Sequence, residues 1–333
     1  MRRPSLNLNR RTFLPRVALL VLLAVGCGGN DARPAVSDAS LSGDHILFAS
    51  DTDGDSEIFA MRPDGSYLRK LTNNQARDLA AEWSPDGKRF VFSSNYLEGG
   101  LTTTKQEING EYVMVDVEVV GDYELRVAKV EDQIGTAITD NQAGTDGGPD
   151  WSPDGSRIAF HSDPDGSGVS EIYSMRPDGA DVVQMTDLGG MNWDPSWSPD
   201  GQNIVFAHFS DAGEVSKWSL YSVRADGTEV TALEEAGDGW QPSWSGSGDQ
   251  IAFSSRRDGS WNIYVVDADG GNLVRLTNNE GDNLEPVWSP GGDRIAFGSS
   301  RQGTFKVFVM DSDGGNVVAT GRTGFPSSWV TRP

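Results

Sequence analysis

The stretch WSPDGSRIAFHS, residues 151–162, decides the fold, because its opening phrase WSPDG recurs along the chain. Intact or altered copies of the phrase place six tryptophans in one register: Trp83, Trp151, Trp197, Trp244, Trp288 and Trp329. The gaps between them are 68, 46, 47, 44 and 41 residues. A period of about 45 residues is typical of stacked repeat architectures. Four further tryptophans lie outside this register: Trp193, Trp218, Trp240 and Trp261.

Each repeat contains four short apolar or alternating runs separated by turn residues. The third repeat reads PDWSPDG, SRIAFHS, EIYSMRPDG and ADVVQMT, which predicts a four-stranded antiparallel sheet. Ser-Pro-Asp-Gly suits a tight hairpin loop, because proline fixes one φ angle and glycine accepts a positive one. The tryptophan beside the loop is predicted to fill the space between adjacent sheets.

Sheets that recur in this way can close radially into a propeller, which protects their edges. The folded part begins with HILFAS, SEIFAMRPDG and YLRKLT, which match second, third and fourth strands, and the chain ends on a first strand, GFPSSW. We therefore predict an all-β, six-bladed β-propeller over residues 44–333, with the C-terminal strand completing the first blade. The alternative is seven blades, with the additional blade in the long first gap. That gap exceeds the period by only about 23 residues, and a blade needs roughly twice as many.

That excess has a signature of its own in the second blade. LTTTKQEI and EYVMVDVEVV flank Asn109-Gly110, the strongest two-residue hairpin signal. We predict a hairpin inserted at about residues 95–122. It either serves a partner or is a decorative insertion.

Composition limits the function. The chain has 333 residues, with 40 glycines and 16 prolines, and its 49 acidic residues outnumber 27 basic ones for a net charge of −22. Many turns and a large core are expected. A surface this negative repels nucleic acid and anionic lipid, so cationic partners or metal cations are favoured.

The N-terminus is typical of an export signal. Residues 1–26 hold five arginines and no acidic residue, and Val17 to Val25 is an unbroken apolar run. Leu23 to Cys27 resembles the lipobox of bacterial lipoproteins, in which the cysteine becomes the lipid-bearing first residue. The alternative for this single cysteine is a buried free thiol. Asn9 to Leu14, NRRTFL, also resembles a twin-arginine export motif.

Removal of residues 1–26 would leave a mature chain with a charge of about −27. Residues 27–43, small and polar after the cysteine, are predicted to be a lipidated flexible tether. Gly28 stands where lipoproteins retained at the inner membrane usually carry aspartate. The periplasmic face of the outer membrane is therefore the expected location, with the N-terminal lipid as the only membrane contact.

The phrases WSPDGxxIAF, SxxDGxxEIY, MxxDG and LTNN resemble the repeats of the TolB-like β-propeller family, also described as WD40-like or PD40 repeats. The resemblance covers nearly all of residues 44–333 and is specific for fold more than for function. It implies a six-bladed propeller in the periplasm that binds other proteins. Family members carry a domain ahead of the propeller, whereas only the short tether is expected here.

In the aligned repeats, the residues four positions before each repeat tryptophan form one column. This column is expected to ring the mouth of the central channel on the face opposite the WSPDG loops, which we term the upper mouth. It contains Trp193, Trp240 and Phe325, and the next position adds Asp194 and Glu285. Exposed aromatics beside carboxylates suit a peptide or protein partner among the envelope proteins, and the acidic surface favours a cationic one. The alternative is that the two tryptophans plug the channel.

An acidic loop raises the question of a cofactor. Asp51, Asp53, Asp55 and Glu57 surround a glycine, as in the start of a calcium-binding loop. Related loops in other repeats read as ordinary hairpin turns, and the full EF-hand pattern is absent. We therefore expect no cofactor, with Ca²⁺ at this loop as the alternative.

Catalysis is the minority interpretation. The three histidines His45, His161 and His208 show no metal-ligand or triad spacing, and no GxSxG motif occurs. His161 and His208 follow IAF and VFA, which we align as matching points of consecutive blades. On that alignment a metal between them would suit a polysaccharide lyase or another carbohydrate-active enzyme. The preferred hypothesis is a non-catalytic binding or assembly module of the cell envelope.

Overall fold

The computed structural model describes residues 43–52, 54–96, 101–108, 111–118, 122–140, 144–210, 217–278 and 280–332, with the backbone alone for 101–108, 111–118 and 217. The predicted signal segment, Cys27 and almost all of the tether lie outside these residues, as do Asp53 and the Asn109-Gly110 turn. No helix in the described part of the chain is long and apolar enough to span a membrane.

Six sheets of four antiparallel strands form the propeller, as predicted. The first strands of blades one to six are β26 (Phe325–Arg332), β4 (Asp78–Trp83), β10 (Thr145–Trp151), β14 (Met191–Trp197), β18 (Gly239–Trp244) and β22 (Asn283–Trp288). The second strands are β1 (Gly43–Ser50), β5 (Arg89–Ser94), β11 (Ile158–Asp163), β15 (Asn203–Ser210), β19 (Gln250–Ser255) and β23 (Arg294–Gln302).

The outer half of each blade completes the sheet. The third strands are β2 (Glu57–Met61), β8 (Glu124–Lys129), β12 (Glu171–Met175), β16 (Lys217–Arg224), β20 (Asn262–Asp267) and β24 (Thr304–Asp311). The fourth strands are β3 (Arg69–Lys70), β9 (Thr136–Ala137), β13 (Val183–Gln184), β17 (Thr231–Gly237), β21 (Val274–Arg275) and β25 (Val318–Thr323). The inserted hairpin consists of β6 (Leu101–Ile108) and β7 (Glu111–Glu118), between β5 and β8.

Ring closure follows the prediction. The C-terminal strand β26 pairs antiparallel with β1, from Gly43 opposite Arg332 to Ala49 opposite Phe325. Each first strand contacts the first strand of the next blade, and β26 contacts β4 to complete the circle. The six first strands therefore line a central channel.

The repeated tryptophans lie between blades. Trp83 is 2 % exposed and packs with Leu47 and Ile58 of the preceding blade as well as with Phe90 of its own. The other five pack in the same way, although Trp244 is only partly buried. This confirms their predicted structural role.

The WSPDG loop and the LT motif fix the strand ends. Ser84 Oγ donates to Asp86 Oδ1 at 2.7 Å, and Gly87 adopts a φ of 63°, as a tight hairpin loop requires. Thr186 Oγ1 donates to the buried Glu171 Oε2 at 2.6 Å and accepts from Ile172 N at 2.9 Å. This threonine, which follows Met185 and stands in the position of the LT of the LTNN phrase, thus attaches the fourth strand to the start of the third.

Two connections between blades differ from the rest. Four blades pass to the next through six or seven residues, whereas Asp238 alone joins β17 to β18 and Gly324 alone joins β25 to β26. Long fourth strands bring the chain directly to the next inner strand. At these two junctions the connecting loop does not cover the upper rim.

Candidate functional site: an aromatic and acidic channel rim

The upper ends of the inner strands carry a bulge. In five blades the pairing register shifts before the repeat tryptophan, between Trp193 and Ser196 in blade four, for example. The residue three positions before the tryptophan has a positive φ in each: Ala80, Gly148, Asp194, Gln241 and Glu285. Bulges of this kind redirect side chains at barrel and propeller rims. Side chains at these bulges also form hydrogen bonds between neighbouring first strands: Gln241 Nε2 on β18 donates to Glu285 Oε1 on β22 at 3.0 Å.

The four tryptophans outside the repeat register form one continuous row at this rim, which we term the aromatic row. Ring centroids lie 5.4 Å apart for Trp193 and Trp218, 6.0 Å for Trp218 and Trp240, and 5.6 Å for Trp240 and Trp261. All four are half-buried. His161 stacks on Trp193 at 5.7 Å and ends the row.

The row arises from two columns of the repeat that meet in space. Trp193 and Trp240 stand four residues before their repeat tryptophans. Trp218 lies at the beginning of the third strand, where it pairs with Phe209, and Trp261 directly precedes the third strand of the next blade. The sequence prediction included the first column and missed the second. The signal was present, because Trp218 and Trp261 precede SLYSV and NIYVV at equivalent positions.

The predicted rim residues are only partly brought together. Trp193 and Trp240 are joined through Trp218. Phe325 instead packs on Phe305, with centroids 4.7 Å apart, at the other short junction. The rim therefore has a four-tryptophan row over blades four and five and a separate phenylalanine pair where blades six and one meet.

Two carboxylates beside the row have perturbed acidity. Burial, with a smaller contribution from the Asp194 charge, raises the pKa of Glu285 to about 8. Burial also raises the pKa of Asp194 to about 6. His161 is a neutral neighbour: burial lowers its pKa to about 4, and its Nδ1 accepts from Asp194 N at 3.5 Å. Glycine at position 148 leaves space for the Asp194 carboxylate and the His161 ring, because a β-carbon there would lie 3.0 Å from both Asp194 Oδ1 and His161 Nδ1.

The alignment of His161 with His208 is wrong. His161 pairs with Gly147, whereas in blade four the matching partner of Trp193 is Ala207, and His208 pairs with Asn192. Because the two histidines differ by one position on their strands, they point to opposite faces. His208 Nδ1 lies 2.8 Å from Asn192 Oδ1. The two imidazoles do not form the joint metal site of the lyase alternative.

Metal ligands do not converge elsewhere in the part of the chain that the structure describes, where no three His, Cys, Asp or Glu side chains are grouped suitably for a metal ion. In the acidic loop, Glu57 turns inward, where it accepts from Asn74 N at 2.9 Å and pairs with Lys70 Nζ at 3.2 Å. Since Asp53 lies outside the described residues, calcium at Asp51, Asp53, Asp55 and Glu57 stays a prediction.

Comparisons with known proteins agree with the fold. A family model described as the TolB beta propeller domain matches residues 106–238 and 220–329. A TolB homolog of Chlorobium luteolum is 30% identical over 143 residues, which are 37% of this chain and 32% of that protein. The chain thus matches about a third of the length of that curated relative.

Solved structures show the same architecture. A structure assigned to TolB of Agrobacterium tumefaciens superposes with a TM-score of 0.62 and 24% identity, covering 87% of this chain and 94% of that one. TolB of Acinetobacter baumannii gives a TM-score of 0.66 and 18% identity, over 88% and 67%. At these identities the likeness concerns the fold alone.

Proposed function

This chain belongs to the TolB β-propeller family, and from that premise we propose that it is a non-catalytic protein-binding or assembly module of the cell envelope. Its partners would be envelope proteins or peptides that dock on the upper rim through Trp193, Asp194, Trp240, Glu285 and Phe325. Family membership rests on the repeats, whereas the binding role rests on the rim itself.

The partly buried aromatic row is the observation that carries this proposal. Large aromatic side chains that are ordered before binding lose little conformational entropy, and they dominate the energy of protein interfaces. Trp193, Trp218 and Trp240 hold one another in place. The connection between blades four and five that adjoins them consists of Asp238 alone.

Export and lipid attachment at Cys27 complete the proposal. The signal-like residues 1–26 and the lipobox-like Leu23 to Cys27 support an anchored protein. Gly28 supports the periplasmic face of the outer membrane. Replacement of Cys27 by serine is expected to abolish incorporation of an alkyne-labelled fatty acid in the producing cells, while Ser37→Ala in the tether leaves it unchanged. Labelling that persists in Cys27→Ser would refute the anchor.

Affinity capture from detergent-solubilised envelope tests the binding role. The bait would be the mature protein, compared with a Trp193→Ala/Trp240→Ala double variant. Since Trp240 packs on the core between blades four and five, both baits must show the same circular dichroism and cooperative melting. Tyr67→Ala provides a matched control, because Tyr67 is an aromatic residue 49% exposed near the WSPDG ends of the strands.

A protein recovered by wild type and by Tyr67→Ala, but not by the folded double variant, would support the rim as the binding site. Equal recovery by all three baits would contradict it. Recovery of nothing specific would contradict the binding module and favour a search for glycan substrates.

A further inference from the structure

The rings of the aromatic row are tilted relative to one another. Interplanar angles are 45° for Trp193 and Trp218, 29° for Trp218 and Trp240, and 50° for Trp240 and Trp261. The row is therefore not one flat platform. Neighbouring centroids are 5.4 to 6.0 Å apart, close to the length of two residues of a polyproline II helix, about 6 Å.

Carboxylates accompany the row along its length. Asp194 follows Trp193 in the chain, Asp238 N donates to Trp218 O at 2.8 Å, and Asp282 Oδ1 accepts from Trp261 N at 3.3 Å. Asp238 is also two residues before Trp240 in the chain, so its backbone lies between Trp218 and Trp240. Arg257 lies at the same junction, where its guanidinium donates to Glu235 O and Gly237 O, in a chain whose net charge is −22.

One end of the row already accommodates a cation. The guanidinium carbon of Arg256 lies 5.8 Å from the Trp261 ring centroid, within the range of a cation–π contact. Trp193, Trp218 and Trp240 pack on one another and on neighbouring aromatic rings, and each is only partly buried. A basic side chain from a partner would meet the same indole chemistry at their exposed parts.

The surroundings of the row favour one backbone conformation for the partner. A segment that adds a β-strand needs an open sheet edge. The third strands β16 and β20, at whose beginnings Trp218 and Trp261 lie, are paired on both sides, and the first strands β14 and β18, the inner edges of their sheets, contact each other at the channel. A polyproline II segment needs no ladder and binds through aromatic-lined grooves. It is also extended before binding, which lowers the entropy cost.

We propose that the aromatic row binds a proline-rich segment in the polyproline II conformation whose lysine or arginine residues face Asp194, Asp238 and Asp282. This inference rests on the proposed binding function and names the chemistry of the partner.

Isothermal titration with synthetic peptides tests the inference. The probes are a basic proline-rich peptide (PPKPPKPPK), its acidic counterpart (PPEPPEPPE) and a basic flexible peptide (GSKGSKGSK), with the mature protein. We expect the basic proline-rich peptide alone to bind measurably, and its affinity to fall as salt is raised. Trp218→Ala should weaken binding about tenfold or more, as loss of a central aromatic anchor does.

Asp238→Asn is the second variant, since asparagine tolerates the φ of 61° at this position. It should weaken binding about two- to fivefold, the range of an exposed charge pair. Asp269→Asn is its matched control, because it removes the same charge from the exposed turn after β20. That variant should bind as wild type does.

Three results would overturn the inference: no binding of PPKPPKPPK, equal binding of GSKGSKGSK, or binding of a neutral N-acetylglucosamine oligomer that competes for Trp218. The envelope capture experiment distinguishes the proposed binding function from the proposed polyproline II partner. A partner captured through Trp193 and Trp240 while no peptide binds would remove the polyproline proposal and leave the binding function standing.

Discussion

Ser328 and Glu82, 246 residues apart in sequence, are joined by a hydrogen bond of 2.8 Å from Ser328 Oγ to Glu82 Oε1. The same hydroxyl accepts from Trp83 N at 3.2 Å. Ser328 lies on the last strand, which completes blade one, and Glu82 lies on the first strand of blade two. One serine therefore links the closing strand to the next blade inside the ring.

Replacement of Ser328 by alanine is expected to lower the free energy of unfolding by about 1–3 kcal/mol, because a buried amide and a buried carboxyl lose their partner. Urea denaturation monitored by tryptophan fluorescence measures the loss. Ser327→Ala is the control, since Ser327 Oγ is buried without a hydrogen-bond partner among the described residues. A loss at position 327 as large as at position 328 would argue against this link.

Trp83→Ala should destabilise the propeller by about 3–5 kcal/mol, the usual cost of emptying a large aromatic site in a core. The indole fills the space between blades one and two, which the strands cannot close without breaking the ring. The same urea experiment measures the change. Tyr67→Ala, at a half-exposed aromatic, should stay within about 0.5 kcal/mol of wild type, and an equally mild effect at Trp83 would refute its core role.

Thr186→Val tests the threonine position of the LT motif, which reads Met-Thr in blade three, with little change in shape. Valine leaves the amide of Ile172 and the carboxylate of Glu171 without the hydroxyl that joins them. A loss of about 1–3 kcal/mol in the free energy of unfolding is expected. Thr231, whose hydroxyl makes only an exposed 3.4 Å contact to Glu229 O, should tolerate valine, so similar losses at both positions would contradict the assigned role.

The repeat phrase predicts most of the fold, because turn residues and periodic apolar runs act locally. The six blades and closure by the strand ending near Trp329 follow from the order of the runs and are observed. The bulges were not predictable in this way, since an extra residue is visible only when two strands are paired. The error over His208 has a related cause: it is 11 residues after Trp197, whereas His161 is 10 after Trp151.

The candidate site was harder to predict than the fold. Trp218 and Trp240 are 22 residues apart and belong to different blades, and they meet only because one short connection brings β17 directly to β18. Phe325 shares a column with Trp240 but meets Phe305. The position of a residue within the repeat predicts at which end of the channel it lies. Which side chains it contacts there depends on the length of the connection between its blade and the next.

Glu285 should make the stability of the propeller depend on pH. Its pKa in the folded protein, about 8, lies above its ordinary value of 4.5. The stability due to the neutral carboxyl is therefore fully present below about pH 4.5 and is lost as pH rises through about 8. Asp194, with a folded pKa of about 6, adds a loss in the lower part of this range.

Glu285→Gln keeps a neutral acceptor for Gln241 at every pH, so it should flatten the decline between pH 5 and pH 8. The difference in slope has an upper limit of about 1.4 kcal/mol per pH unit, the value for one proton. Urea denaturation at half-unit steps of pH measures it. Glu234→Gln, at an exposed position on β17, should keep the wild-type slope. Parallel curves for wild type and Glu285→Gln would show that Glu285 is ionised throughout and that the channel rim carries its full negative charge.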